Sequence, residues 1–134
     1  METNSGDVLV ISGSDDVVRV RQAVRAKAIE IGLSLVDQTK IVTAASEVAR
    51  NTLDHGGGGT ATLLTVQNGN RQGLRLIFED QGRGIADLDR ALTDGYTTGK
   101  GLGLGLGGAK RLSNEFSIQS TPGKGTRVVI ARWK

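Results

Sequence analysis

The chain has 134 residues, 17 Lys and Arg against 14 Asp and Glu, and no cysteine. Without cysteine there are no disulfides and no thiolate metal sites. The mild charge of +3 is spread without a dense basic patch, which weighs against a nucleic-acid partner. No apolar run approaches the roughly 20 residues of a membrane span, and the first residues carry no leader-like apolar stretch. A membrane is therefore not expected, and a cytoplasmic location is.

The length suits one domain over residues 1–134, with 1–6 polar and expected to be loose. Two Phe, one Tyr and one Trp leave the core to Val, Leu, Ile and Ala. Most of the 20 glycines fall between Gly56 and Gly108, so they mark turns and sites, not a repeat. Asp7 to Ser12 reads as a short strand. Ser14-Asp15-Asp16 signals a helix start, and Val17, Val20, Val24, Ala28 and Ile31 recur at helical spacing up to a stop at Gly32. Ser34 or Asp37 caps a second helix reaching about Asp54, with Ile41, Ala44, Ala45, Val48, Ala49 and Thr52 as its inner face. His55 and four glycines end that helix.

Thr60 to Val66 and Gly73 to Glu79 read as strands around a turn at Asn68-Gly69-Asn70. Ile85 to Leu92 is a possible short helix, and Arg83 to Lys100 suits a lid over a ligand. A glycine-rich helix opens at Gly101–Gly108 and runs to about Ser113. Glu115–Ser120, a turn at Thr121–Gly125 and Thr126–Trp133 complete the chain. Strands in hairpins with helices in runs predict an α+β two-layer sandwich, helices on one face of a mostly antiparallel sheet.

Three stretches carry chemistry. Glu47 and Asn51 stand four apart, side by side on one helix face. An amide oxygen can ligate a hard cation, and a carboxylate one turn away can take a hydroxyl proton; an ordinary solvated pair is the plainer alternative. Asp80 closes an apolar strand before Gly82 and Gly84, where it could accept a hydrogen bond from an exocyclic amine or simply form a turn. Gly101-Leu102-Gly103-Leu104-Gly105 at a helix start suits phosphate, or close backbone packing. Gly103, Gly105 and Gly108 match the dinucleotide fingerprint formally, but no strand leads into them, and Gly99-Lys100 lacks the Ser or Thr of a Walker loop. His55 and Lys100 receive no assigned role.

Taken together these motifs resemble the GHKL ATPases and kinases. Glu47-Val-Ala-Arg-Asn51 is similar to their N box, Asp80-Gln-Gly-Arg-Gly84 to the G1 box, Gly101 to Leu106 to the G2 box, and Gly123-Lys-Gly-Thr126 to their late threonine-bearing turn. The likeness runs from about Val8 to Trp133. The wording around Ser46–Asn51 and Asp94–Gly99 looks most like the RsbT-type serine-protein kinases, which are related to anti-sigma factors. The resemblance implies a Bergerat fold, ATP and Mg2+. It makes Asn51 the metal ligand, Glu47 the general base and Asp80 the partner of the adenine amine. Gly82 and Gly84 would make room for the nucleotide, residues 101–105 would line the phosphates, and Thr126 would assist nearby. The implied activity is phosphorylation of a serine or threonine on a STAS-domain partner, with a phosphatase or sigma factor as a further partner. The alternative is a nucleotide-gated binding switch with little kinase activity. A detached histidine-kinase ATP domain is disfavoured, because no separate helix carries an acceptor histidine.

Overall fold

The computed structural model describes residues 5–85, 87–92 and 105–134. The elements in chain order are β1 (Ser5–Ile11), α1 (Ser14–Glu30), α2 (Leu35–Asp54), β2 (Gly59–Asn68), β3 (Arg71–Asp80), α3 (Leu88–Ala91), α4 (Gly105–Arg111), β4 (Glu115–Thr121) and β5 (Gly125–Trp133). The strands form one antiparallel sheet in the order β1-β2-β3-β5-β4, with α1 and α2 against it and α4 packed on α2. This is the expected α+β sandwich. Of the expected lid, Arg83–Lys100, residues 86 and 93–100 lie outside the described residues, as do the phosphate-loop residues Gly101, Leu102, Gly103 and Leu104.

Helix α1 begins because Asp16 turns back onto the chain before it. Its Oδ2 accepts from the backbone N–H of Ser12 at 2.8 Å, from the Ser12 hydroxyl at 3.0 Å and from the Gly13 N–H at 3.2 Å. The Ser12 backbone N–H and hydroxyl, with Arg19, hold the Asp16 carboxyl well below the usual range, at about 2. Val17, Val20, Val24 and Ala28, three or four residues apart, are buried against the sheet. Helix α2 is capped by Ser34, whose hydroxyl oxygen accepts from Asp37 N–H at 3.1 Å. The expected inner face of α2 is buried in full, and Ala44, Ala45 and Ala49 have no exposure at all. Small residues let α2 lie close to its neighbours, while Leu63, Leu74, Leu76, Phe78, Val128 and Ile130 supply bulk from the sheet.

β1 starts two residues before the predicted Asp7 and stops one short of Ser12, and the other strands exceed their predicted bounds by one or two residues, because ladder pairing continues through the polar ends: Asn68 still faces Arg71 across a two-residue turn. Helix α3 is shorter than predicted. Its start is set by Asp87, whose Oδ1 accepts from Arg90 N–H at 3.0 Å, while Ile85 N–H instead donates to the Ser120 hydroxyl at 2.7 Å. The Asp37 carboxylate, held low mainly by its bond to Arg132, ties the start of α2 to β5 with contacts of 2.8 and 3.0 Å.

Candidate functional site

Helix α2 and the ends of β3 and β5 bring the predicted residues to one end of the sandwich. Glu47 is 4% exposed although it is charged, and its Oε1 accepts from the Gly105 backbone N–H at 3.0 Å. A buried carboxylate needs such donors to remain acceptable in a low-dielectric setting. The bond joins the middle of α2 to the first residue of α4, which is the last glycine of the predicted phosphate loop. Asn51, one turn further along α2, is half-buried. The two lie one turn apart on α2, which also packs directly on α4.

Asp80 ends β3 and is 6% exposed. Its Oδ1 accepts from the Gly82 N–H at 2.9 Å. Thr126 of β5 stands opposite it in register and is 7% exposed. The Thr126 hydroxyl lies 2.8 Å from that of Ser120, which also receives the Ile85 N–H. Ser120 thus links the stretch after β3 to Thr126. It was not among the predicted residues, although its register partner on β5 is Thr126 itself.

The glycines around Asp80 have packing reasons of their own. A Cβ at Gly82 would lie 2.6 Å from the Gly56 Cα, and one at Gly84, whose φ is +77°, would lie 2.3 Å from the Thr121 carbonyl oxygen. A Cβ at Gly56 would lie 2.3 Å from the Asp80 Cγ. Gly56, just after α2, is thus a second residue that the motif reading missed; its run of four glycines was the only sign. His55 is where a helix-ending residue was expected, its backbone N–H bonded to the carbonyls of Asn51 and Thr52.

Among the described residues no group of three or more His, Cys, Asp and Glu gathers as a metal cluster. No described helix is long and apolar enough to cross a membrane.

Comparison with known proteins agrees with this arrangement. Residues 36–134 match the family of histidine kinase-, DNA gyrase B- and HSP90-like ATPases. The chain belongs to this family. Membership of this ATPase family implies that the chain binds ATP. The chain is 44% identical to the serine/threonine-protein kinase RsbT of Bacillus subtilis over 118 residues, covering 88% of this chain and 89% of that protein. It is 28% identical to the anti-sigma F factor of Thermoanaerobacter sp. over 137 residues, covering 98% of this chain and 94% of the relative. In fold it is similar to the crystal structure of the RsbU and RsbW domains of a Mycobacterium tuberculosis protein, with a TM-score of 0.63 at 21% identity. That match takes in 97% of this chain and 32% of the other.

Proposed function

We propose that this chain is an ATP- and Mg2+-dependent protein serine/threonine kinase whose substrate is a STAS-domain partner in a sigma-factor or stressosome pathway. The observation that carries the reading is the buried Glu47, fixed by the Gly105 N–H at 3.0 Å with Asn51 one turn away. Likeness to a named serine/threonine-protein kinase over 88% of the chain supports it. A kinase of this kind works in the cytoplasm, where ATP and a STAS partner meet.

In this reading Asp80 accepts the hydrogen bond of the adenine amine through a carboxylate oriented by the Gly82 N–H. Thr126, beside it on β5, adds a hydroxyl steadied by Ser120. Gly82 and Gly84 keep that wall low, and residues 101–105 receive the phosphates. Asn51 holds Mg2+ through its amide oxygen; when bound, the metal supplies positive charge against the phosphates. Glu47 takes the proton of the partner's hydroxyl as that oxygen bonds to the terminal phosphorus and the bond to the bridging oxygen of ADP breaks. A carboxylate has about four acceptor sites, so the Gly105 bond orients the group without exhausting it. Most of the rate then comes from positioning and charge.

The similarity to anti-sigma F factors over 98% of the chain supports the second reading, a nucleotide-gated switch that sequesters a sigma factor or activates a phosphatase. One assay separates the two. The chain is mixed with Mg-ATP labelled at the terminal phosphate and a panel of STAS-domain proteins, with Glu47→Ala as control. Acid-stable label on one panel member, absent in the control, is expected. Nucleotide binding without transfer to any member would replace the kinase with the binding switch.

A further inference from the structure

The inner face of the sheet changes chemistry at its last row. Leu76, Ile130 and Phe116 stand opposite one another across β3, β5 and β4, and so do Phe78, Val128 and Ile118. The next row on the same face is Asp80, Thr126 and Ser120. Apolar packing gives way there to a carboxylate and a pair of hydroxyls. Asp80 and Thr126 are buried, and Ser120 is half-buried. Directly opposed residues of paired strands set their side chains side by side, so Asp80 and Thr126 face one edge of a base seated there.

The hydroxyl protons of this row follow from a count of donors and acceptors. A serine hydroxyl has one proton and two lone pairs. The Ile85 N–H, 2.7 Å from the Ser120 oxygen, takes one lone pair. The Ser120 proton then has two acceptors in reach, the Thr126 oxygen at 2.8 Å and the Gly125 carbonyl oxygen at 3.3 Å. Hydroxyl-to-oxygen bonds centre near roughly 2.7–2.8 Å, so the Thr126 oxygen is the better acceptor. Accepting from Ile85 also strengthens Ser120 as a donor, since bonds in a chain polarise one another. Thr126 therefore receives a proton from Ser120, and its own proton is left to point at the ligand.

We propose that Ser120 is a positioning residue that makes Thr126 a hydrogen-bond donor, and that this polarity selects adenine nucleotides over guanine and hypoxanthine nucleotides. The inference rests on the reading of Asp80 as the adenine residue. Adenine shows an amine donor beside the N1 acceptor. Guanine and hypoxanthine show a carbonyl oxygen beside an N1–H, the reverse at both atoms. With Asp80 accepting and Thr126 donating, adenine is matched at both and the other bases are opposed at both. A buried polar group left without its partner costs more than a made bond gains, so the wrong base is rejected strongly. Without Ser120 the Thr126 hydroxyl is free to turn. It then accepts from an N1–H as readily as it donates to an N1, and Asp80 discriminates alone.

The test is calorimetry of the full chain with ADP, inosine diphosphate and 1-deaza-ADP, in which a C–H replaces N1. Wild type, Ser120→Ala and Ser120→Thr are compared. The wild type should favour ADP over 1-deaza-ADP roughly fivefold or more, and over inosine diphosphate by a larger factor. Ser120→Ala should bring the ADP to 1-deaza-ADP ratio close to one and cut the ADP to inosine diphosphate ratio roughly fivefold or more. Ser120→Thr keeps the hydroxyl and should restore both ratios. If circular dichroism finds Ser120→Ala unfolded, Ser120→Cys, whose thiol is a weak donor, reads the same ratios. A residue that only packed the segment after β3 would, when truncated, weaken every ligand alike and leave the ratios standing. That result would overturn the proposal, as would unrestored ratios in Ser120→Thr. Equal binding of all the ligands by the wild type would leave nucleotide binding intact and overturn the role of Ser120. Binding of none would overturn the nucleotide reading, and this role with it.

Discussion

Replacing Gly56 with alanine tests whether Asp80 is the adenine residue and what holds it there. The new Cβ would lie 2.3 Å from the Asp80 Cγ and 2.5 Å from its Oδ2. Ordinary carbon contacts begin near 3.5 Å, so about 1.2 Å must be found. Neither side gives readily. Gly56 N–H is bonded to the Thr52 carbonyl at 3.1 Å, and the Gly56 backbone is pressed by Gly82. Asp80 belongs to a strand paired on both sides, opposite Gly59 and Thr126. The side chain must therefore rotate away, breaking its 2.9 Å bond from Gly82 N–H. Overpacking of this kind costs about 1–3 kcal/mol of stability. Loss of one charge-assisted adenine contact costs a further 1–3 kcal/mol or so of binding, roughly 5- to 150-fold in Kd. Calorimetry with ADP measures the second quantity and thermal unfolding the first. Gly57→Ala is the control: its φ of +73° makes alanine strained, but nothing lies within 4 Å of its Cβ, so stability should fall while affinity holds. Wild-type ADP affinity in a destabilised Gly56→Ala protein would remove Asp80 from the adenine site. No change in either quantity would refute the steric argument.

Three other outcomes are expected. Asp80→Ala should weaken ADP binding by about 1–3 kcal/mol in the same calorimetric titration while leaving Glu47 in place; unchanged affinity would exclude the contact. Thr126→Val removes one member of the Ser120–Thr126 hydroxyl pair and should lower the thermal midpoint by a few degrees, since a buried hydroxyl is left with one partner fewer; an unchanged midpoint would show that the pair adds nothing. Asp16 is depressed in the folded chain from 3.8 to about 2. Its contribution is therefore complete above its unfolded value and is lost as pH falls through that window. Asp16→Asn should flatten the thermal midpoint of the wild-type chain between about pH 4 and 2, measured by circular dichroism; parallel acid profiles would contradict the assignment.

The sequence made the second helix readable because its information is local. Ser34 caps at the expected place, and every small residue predicted to face inward on α2 does so. What local pattern could not show was contact between distant segments. The bond from Gly105 to Glu47 spans 58 positions and turns a residue that could have been solvated into a buried one. The Asp37–Arg132 pair spans 95. Placing β5 between β3 and β4 is likewise a tertiary choice, for which neither strand's alternation holds a sign. Gly56 was read as part of a helix ending, because its reason for being glycine is a side chain 24 residues later.

The pairing of the sheet also bears on how the site comes into being. Three hairpins can form from neighbouring sequence: α1 with α2, β2 with β3, and β4 with β5. They are joined by distant contacts: Phe78 stands opposite Val128, α2 packs on β3 and β5, and β1 adds to the edge with Ile11 opposite Gly59. Closing such long loops is the slow part of folding. Glu47 and Asn51 come from the first hairpin, Asp80 from the second and Thr126 from the third. No folding intermediate that lacks one docked hairpin can hold a nucleotide as the finished chain would. On the proposed site, nucleotide binds only the completed assembly, and by mass action it raises the stability of the whole chain, not of any one part.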